Sequence, residues 1–273
     1  MANIDEYYEV ALRLVRQAGD IIKDKMNRPK EVMIKSCDVD LVTESDREVE
    51  ALFIKGITEK YPDHRFIGEE ETSSGTNSVQ LTDAPTWVID PIDGTMNFVH
   101  GLPHTCISVA LLVEEVTVIG IVYNPILEQL FTAKKGNGAF LNGNPIRVSG
   151  EKELSKALLM MEMGTSRDPE KMKTVFKNVQ ILTPKVHGVR TLGSAALNMC
   201  MVALGGADAN FEFGIHIWDF AAGNLIVQEA GGVCIDPAGG PLDLLSRRLL
   251  CASTKELAEQ IVALISQYYP PRD

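Results

Sequence analysis

Apolar residues recur at three- and four-residue steps between Ile4 and Met26 (Val10, Leu12, Leu14, Val15, Ala18, Ile21, Ile22). That is the period of a helix with one buried face, and Pro29 marks its end. A second helical pattern opens at Thr43-Glu44-Ser45-Asp46, where a hydroxyl can cap the first turn, and runs through Val49, Leu52, Ile54 and Ile57 to Tyr61-Pro62. The pattern thus predicts two helices before the first good strand, Phe66-Ile67. That strand leads into Gly68-Glu69-Glu70-Glu71 and a Ser/Gly/Thr/Asn stretch, residues 72–78, that reads as a surface loop. Trp87-Val88-Ile89 reads as a buried strand. Residues 105–113, 116–123, 129–134 and 139–141 read as successive strands broken by Glu114-Glu115, Asn124-Pro125 and Gly136-Asn137-Gly138, a β-meander.

The second half predicts a strand near 157–161 and a helix over 168–179, then a helix opening at Gly193-Ser194 and ending before Gly205-Gly206. A strand near 208–212, a helix after Asp219 to Gly231-Gly232, a strand at 249–252 and a helix from 254 to 268 follow. There is no internal repeat and no linker rich enough in Pro, Gly or Ser to separate independent domains. Helices and strands grouped more than alternated predict a layered α+β architecture. The chain, 1–273, is expected to form a single compact domain with two tightly joined halves, approximately 1–150 and 151–273.

Composition narrows the partners. The hydrophobic share of 45% is enough for a substantial core, and 37 acidic against 26 basic residues give a formal charge of −11. That balance repels nucleic-acid backbones and anionic lipid surfaces, so neither nucleic acid nor membrane is an expected partner. An acidic protein that handles phosphate needs locally placed basic groups or a bound cation. The five cysteines (Cys37, Cys106, Cys200, Cys234, Cys251) are odd in number and form no Cys-x-x-Cys pair. They argue against a disulfide framework or structural zinc and for a reducing cytoplasm. The polar start, Met1-Ala2-Asn3-Ile4-Asp5-Glu6, does not read as a signal peptide, and no apolar run approaches membrane-spanning length.

Three acidic elements are candidates for chemistry. In Trp87-Val88-Ile89-Asp90-Pro91-Ile92-Asp93-Gly94-Thr95 an apolar strand runs into two carboxylates. Asp90, Asp93 and the Ile92 carbonyl are hard oxygen donors, suited to Mg²⁺ and poorly to zinc. Gly94-Thr95 can open a helix whose free N–H groups face an anion. Trp218-Asp219-Phe220 places another aspartate at the start of an apolar helix, and Gly68-Glu69-Glu70-Glu71 supplies the third element. Taken singly, these are also what a turn, a helix cap and a solvated charge run look like. His100 and His104 stand four apart, but Gly101 and Pro103 rule out a helix that would pair them on zinc. His216 and the cysteines read as core or surface residues, and no dinucleotide or NTPase glycine motif occurs.

Together with Lys35, Val39-Asp40-Leu41-Val42-Thr43, Gly193-Ser194-Ala195-Ala196 and Glu212, in this order and spacing, the three elements resemble the inositol monophosphatase family. That family is part of a Mg²⁺-dependent, lithium-sensitive phosphatase superfamily that includes fructose bisphosphatases and bisphosphate nucleotidases. The resemblance covers nearly the whole chain. It implies a layered α-β-α-β-α sandwich, a homodimer, two to three Mg²⁺ ions per subunit, and hydrolysis of inositol monophosphate to inositol and phosphate by a metal-activated water. Glu69, Asp90 and the Ile92 carbonyl would hold one ion, and Asp90, Asp93 and Asp219 a second; a third would rest on Glu69 through water. The resemblance further implies water activation near Glu69 and Thr95, with Asp46 hydrogen-bonded to Thr95. Phosphate contacts would come from Gly94 and Thr95, and sugar-hydroxyl contacts from Glu212, Asp219, Ser194 and Ala195. Met96 and Ser194 stand where the family often has Thr, which leaves fine substrate preference open.

Glu212 could instead form a salt bridge with a basic residue such as Arg190. The competing functions are a bisphosphate nucleotidase or other sugar phosphatase of the same superfamily, and a regulatory binding protein that keeps the fold without turnover. The intact Glu69, Asp90, Asp93, Thr95 and Asp219 set argues against the latter.

Overall fold

In a computed structural model of the chain, which describes residues 3–35, 41–73 and 79–273, the first apolar stripe becomes helix α1 (Ile4–Lys25). It buries Val10, Leu14, Val15, Ala18 and Ile22 on one face, and Asn3 caps its N-terminus by accepting from the Glu6 amide. A short antiparallel pair, β1 (Val32–Ile34) and β2 (Leu41–Thr43), precedes the second helix. The hydrophobic pattern did not predict these strands, because three residues are too few to show an alternation. Val39 and Asp40 of the family motif, Cys37, and most of the predicted loop (74–78) lie outside the described residues. Helix α2 (Glu44–Thr58) starts where expected, at the Thr43 cap. After β3 (Arg65–Gly68) the acidic run forms a short helix, α3 (Glu69–Ser73), which takes in the first two residues of the predicted loop 72–78.

Strand β4 (Thr86–Asp93) is buried along its whole length and continues past Ile89 through both aspartates into α4 (Thr95–His100). The meander follows as β5 (Cys106–Val113), β6 (Val116–Asn124), β7 (Gln129–Lys134) and β8 (Ala139–Leu141), with an unpredicted edge strand β9 (Asn144–Ile146). These strands pair in chain order, β3 to β9, antiparallel except for β3 with β4. The second half supplies β10 (Leu158–Met161), α5 (Pro169–Leu182), β11 (Gly188–Arg190), α6 (Ala195–Leu204), β12 (Ala209–Phe213), α7 (Ile217–Glu229), β13 (Val233–Ile235), β14 (Arg248–Ala252) and α8 (Lys255–Val262). Its five strands are ordered β11-β10-β12-β14-β13. Helix α8 stops at Val262, short of the expected 268, because the chain beyond is held by side chains from other elements. The Asn178 side chain bonds both the amide and the carbonyl of Ser266, and Arg248 donates to the Tyr268 carbonyl.

Period-two burial sorts these elements into layers. Along β4 and β5, Trp87, Ile89, Ile107, Val109 and Leu111 face one apolar cluster with α1 and α2, while Val88, Ala110 and Leu112 face a second with α6 and α7. In the other sheet Met160, Leu249 and Cys251 face that same second cluster, and Leu159, Phe211, Leu250 and Ala252 face a third, formed with α5 and α8. Three cores between five layers make the α-β-α-β-α sandwich. Both sheets are covered on both faces, so their strands read as continuous apolar runs.

Helices α6 and α7 lie between the sheets and are buried nearly all round, which removes the one-sided stripe from their sequences. Contact there is close. A Cβ on Gly120 of β6 would stand 2.7 Å from the Ala222 carbonyl oxygen of α7.

Candidate active site

The two sheets' central helices and the C-terminal end of β4 converge on the acidic residues. Strand register slips between Asp90 and Asp93, a bulge that turns both carboxylates to the sheet's end. Asp90 Oδ1 accepts from the Ile92 amide at 3.0 Å. Asp93 Oδ2 accepts from Ser194 Oγ at 2.5 Å and from the Ala196 amide at 2.8 Å. Asp219 is the third residue of α7, not its cap. His216 holds the cap position, and its amide donates to Asp219 Oδ2 at 2.6 Å. The Asp273 carboxylate accepts from the Ile217 amide and, at 2.5 Å, meets His216 Nδ1. The His216 ring stacks on Trp218, and Ser108 Oγ donates to the Trp218 carbonyl. His216, read from sequence as a core or surface residue, is thus part of the frame that sets Asp219.

One carboxylate oxygen from each of Asp90, Asp93 and Asp219 lies within 4.8 Å of the others. Burial, then the charges of Glu69, Asp93 and Asp219, raise Asp90 well above the ordinary carboxylate range. Burial raises Asp93 to about 6 against the pull of the Ser194 hydroxyl and Ala196 amide, and burial with the Asp93 charge raises Asp219. Three anions this close and this little hydrated need a counter-charge. An all-oxygen donor set fits a hard divalent cation.

Glu69 opens α3 and is half-buried, with Oε1 accepting from Lys35 Nζ at 2.7 Å; the same ammonium reaches Glu70 Oε1 at 2.6 Å. Burial alone would lower the Lys35 pKa, but the two carboxylates more than offset it and the ammonium stays charged. Asp46, fully buried, accepts from the Thr43 amide at 2.8 Å and hydroxyl at 2.5 Å, and burial raises it to about 6. Thr95 Oγ1 lies 3.5 Å from Asp46 Oδ1 and donates at 3.0 Å to the Ile92 carbonyl. The expected Asp46–Thr95 contact is therefore present but long.

Gly94 has φ +83°, and a Cβ there would stand 2.9 Å from the His104 carbonyl oxygen and 3.0 Å from that of Gly193. Asn97 Nδ2 donates at 2.7 Å to the His104 and Leu192 carbonyls, which fixes the loop that carries Gly193 and Ser194. Glu162 holds the same loop from the other side. Its Oε1 accepts from the Leu192 and Gly193 amides and from Asn198 Nδ2. Sequence reading missed Glu162, whose partners lie thirty or more residues away.

Ser194 caps α6 by accepting from the Leu197 amide while donating to Asp93, so its hydroxyl is already committed. Glu212 on β12 is 4% exposed, and its Oε2 makes no hydrogen bond to the described residues. Arg190 is exposed and donates to the Val189 carbonyl. The basic group near Glu212 is instead Lys171.

Every predicted site residue except Asp46 lines one cavity of about 390 Å³, and Asp46 stands behind Thr95. The fold and site define the class: a five-layered α+β protein whose sheets meet at a buried, cation-seeking carboxylate pocket. The chain belongs to the inositol monophosphatase family, whose model matches residues 3–269. It is 47% identical to human inositol monophosphatase 1 over 269 residues, 98% of this chain and 97% of the relative. Among solved structures it resembles the Thermotoga maritima IMPase (TM-score 0.84, 31% identity, covering 94% of this chain and 96% of that one). It also resembles SaIMPase-II of Staphylococcus aureus, solved with inositol monophosphate bound (TM-score 0.78, 26% identity, covering 94% and 92%).

Proposed function

We propose that this chain is a phosphoric monoester hydrolase that converts inositol monophosphate to inositol and phosphate with Mg²⁺ as its cofactor. The observation that carries the reading is the Asp90-Asp93-Asp219 cluster, its first two carboxylates buried and the third half-buried, in the lining of a cavity of about 390 Å³, a size suited to a small polar ester. Glu69, Asp90, the Ile92 carbonyl, Asp93 and Asp219 would hold two to three ions. Bound there, Mg²⁺ supplies charge neutralisation for the phosphate and an acidified water.

The protein's own groups do the positioning. Asp46 steadies Thr95, whose hydroxyl, shared with the Ile92 carbonyl, borders the place where the attacking water would sit. Glu69, half-buried and paired with Lys35, is the acceptor for that water's proton. Without a Cβ, Gly94 leaves the Gly94 and Thr95 amides open to phosphate oxygens. Glu212, with Asp219 and the Ala195 wall, lines the end of the cavity where the ring hydroxyls would lie, and its carboxylate is the acceptor proposed for them. Ser194 serves the substrate only indirectly, through Asp93.

The same reading treats residues 1–273 as one catalytic domain whose halves, approximately 1–150 and 151–273, meet at the carboxylates. Family membership supports a lithium-sensitive homodimer, and the free thiols of Cys106, Cys200, Cys234 and Cys251 support the cytoplasm. No helix of the described residues is long and apolar enough to cross a membrane.

The test is phosphate release from inositol monophosphate, adenosine bisphosphate and fructose bisphosphate, with and without Mg²⁺, for the wild type and Asp90→Asn. Inositol monophosphate is expected to be the best substrate. The variant should lose at least about a hundredfold in kcat while keeping its circular dichroism. Full turnover after chelation, or in folded Asp90→Asn, refutes the metal mechanism; preference for adenosine bisphosphate moves the chain to the nucleotidases.

A further inference from the structure

Helix α2 buries Asp46, Val49, Glu50, Phe53 and Ile57. Val49, Phe53 and Ile57 pack into the apolar cluster with α1. Asp46 and Glu50, four residues apart and so neighbours on the helix surface, put two carboxylates into a stripe that burial reserves for apolar groups. A buried carboxylate is costly unless hydrogen bonds replace its water. Asp46 is accounted for by Thr43 and Thr95. Glu50, 5% exposed, takes no part in the chemistry proposed above.

Both oxygens of Glu50 are engaged by the backbone that carries Glu69. Oε2 accepts from the Glu70 amide and Oε1 from the Glu71 amide, each at 2.9 Å. On the other side of Glu69, Gly68 lies against the same carboxylate, where a Cβ would stand 2.4 Å from Oε2. The chain is thus gripped immediately before and after Glu69. Gly68 pairs with Ile89, so Glu69 and Asp90 follow paired residues on neighbouring parallel strands. A helix as short as α3, five residues, cannot hold this geometry by itself. Lys35 binds the Glu69 and Glu70 side chains, but it follows β1, whose three residues are all exposed. Helix α2 is packed in the core, so the fixed point for the main chain at Glu69 is Glu50.

We propose, resting on the reading of Glu69 as a metal ligand and the acceptor for the water's proton, that Glu50 is the positioning residue for Glu69. Its side chain ties α3 to α2. One helix then sets, through residues four apart, both groups that border the attacking water: Thr95 through Asp46 and Glu69 through Glu50. A side chain at position 68 would displace the tie.

Glu50→Gln keeps the shape of the side chain and replaces one acceptor oxygen by an NH₂ group that cannot accept. The experiment compares it with Glu69→Gln and with Val49→Ala, a core truncation on the same helix that leaves Glu50 in place. It is run near pH 8, above the value of about 7 to which burial raises Glu50. Three properties are measured: hydrogen exchange of the Glu70 and Glu71 amides in the metal-free protein, Mg²⁺ binding by calorimetry without substrate, and kcat and KM on inositol monophosphate. Glu50→Gln should speed exchange of those amides at least about tenfold and weaken Mg²⁺ binding several-fold. It should lower kcat about tenfold, with KM at saturating Mg²⁺ near the wild-type value. Val49→Ala should lower the melting temperature without these changes. Gly68→Ala, which pushes the carboxylate aside without deleting it, should reproduce them, and it carries the test if Glu50→Gln does not fold. Wild-type exchange and Mg²⁺ binding in folded Glu50→Gln or Gly68→Ala, or the same changes in Val49→Ala, overturn the proposal while an inactive Glu69→Gln leaves the role of Glu69 standing. Full turnover in Glu69→Gln removes the reading on which the proposal rests.

Discussion

Replacing Ser194 by alanine separates two roles that one hydroxyl could have. Ser194 Oγ donates to Asp93 at 2.5 Å and accepts from the Leu197 amide at 3.2 Å, and the residue is 2% exposed. Losing the helix cap costs about 1 kcal/mol, and losing a hydrogen bond to a carboxylate costs about 1.5–3 kcal/mol. The Ala196 amide still holds Asp93, so the expected loss is about 2–4 kcal/mol. For a chain of this size that lowers Tm by about 5–15 °C.

A functional effect follows from the same bond. The Ser194 hydroxyl pulls Asp93 down against burial, and Asp93 still stands at about 6. Without it the carboxyl holds its proton more tightly and competes less well for a cation. Half-saturating Mg²⁺ at pH 7 should rise several-fold, with KM for inositol monophosphate near the wild-type value at saturating Mg²⁺. Calorimetry and a phosphate-release assay across a Mg²⁺ titration measure both. Ser194→Thr, which keeps the hydroxyl, should restore most of each. A Tm within about 1 °C of the wild type refutes the structural argument. An unchanged Mg²⁺ requirement with a raised KM would return Ser194 to the substrate contact that the family resemblance implied.

Two further expectations concern the frame around the site. Gly94→Ala forces a left-handed backbone on an L residue, at about 1–2 kcal/mol, and drives its Cβ into two carbonyl oxygens. Calorimetry should show a lower Tm and the assay a large loss of turnover; a variant with wild-type melting and activity would show that the turn relaxes freely. Asp236 is pulled up by burial but further down by the Arg248 guanidinium and the Ala238 amide together, so its pKa lies below 3.8 when folded. The pair should contribute on the order of 1–3 kcal/mol above that pH and lose it as pH falls through the folded value. Urea unfolding of wild type and Asp236→Asn should therefore differ at neutral pH and converge near pH 2; a difference constant with pH would refute the assignment.

Much of this molecule is decided by local pattern. The stripe of α1, the Thr43 cap, the period-two faces of β5 to β7 and the Ser194 start of α6 follow from short-range rules that act within one element. Asp90, Asp93 and Asp219 were recognisable because Asp90 and Asp93 share one segment and the family motifs mark the third. What local pattern left undecided depends on distant partners. Three-residue strands such as β1, β9 and β11 exist only through pairing, and α8 ends early because Asn178 and Arg248 capture the chain after it. The site shows the same division. Glu162 and Asp273 act through residues far along the chain, and Ser194 donates its hydroxyl to Asp93 across 101 positions. Sequence determines which carboxylates are available; the meeting of two sheets and their buried helices decides which donors reach them, because a buried charge is set by whatever group the fold brings within hydrogen-bond distance.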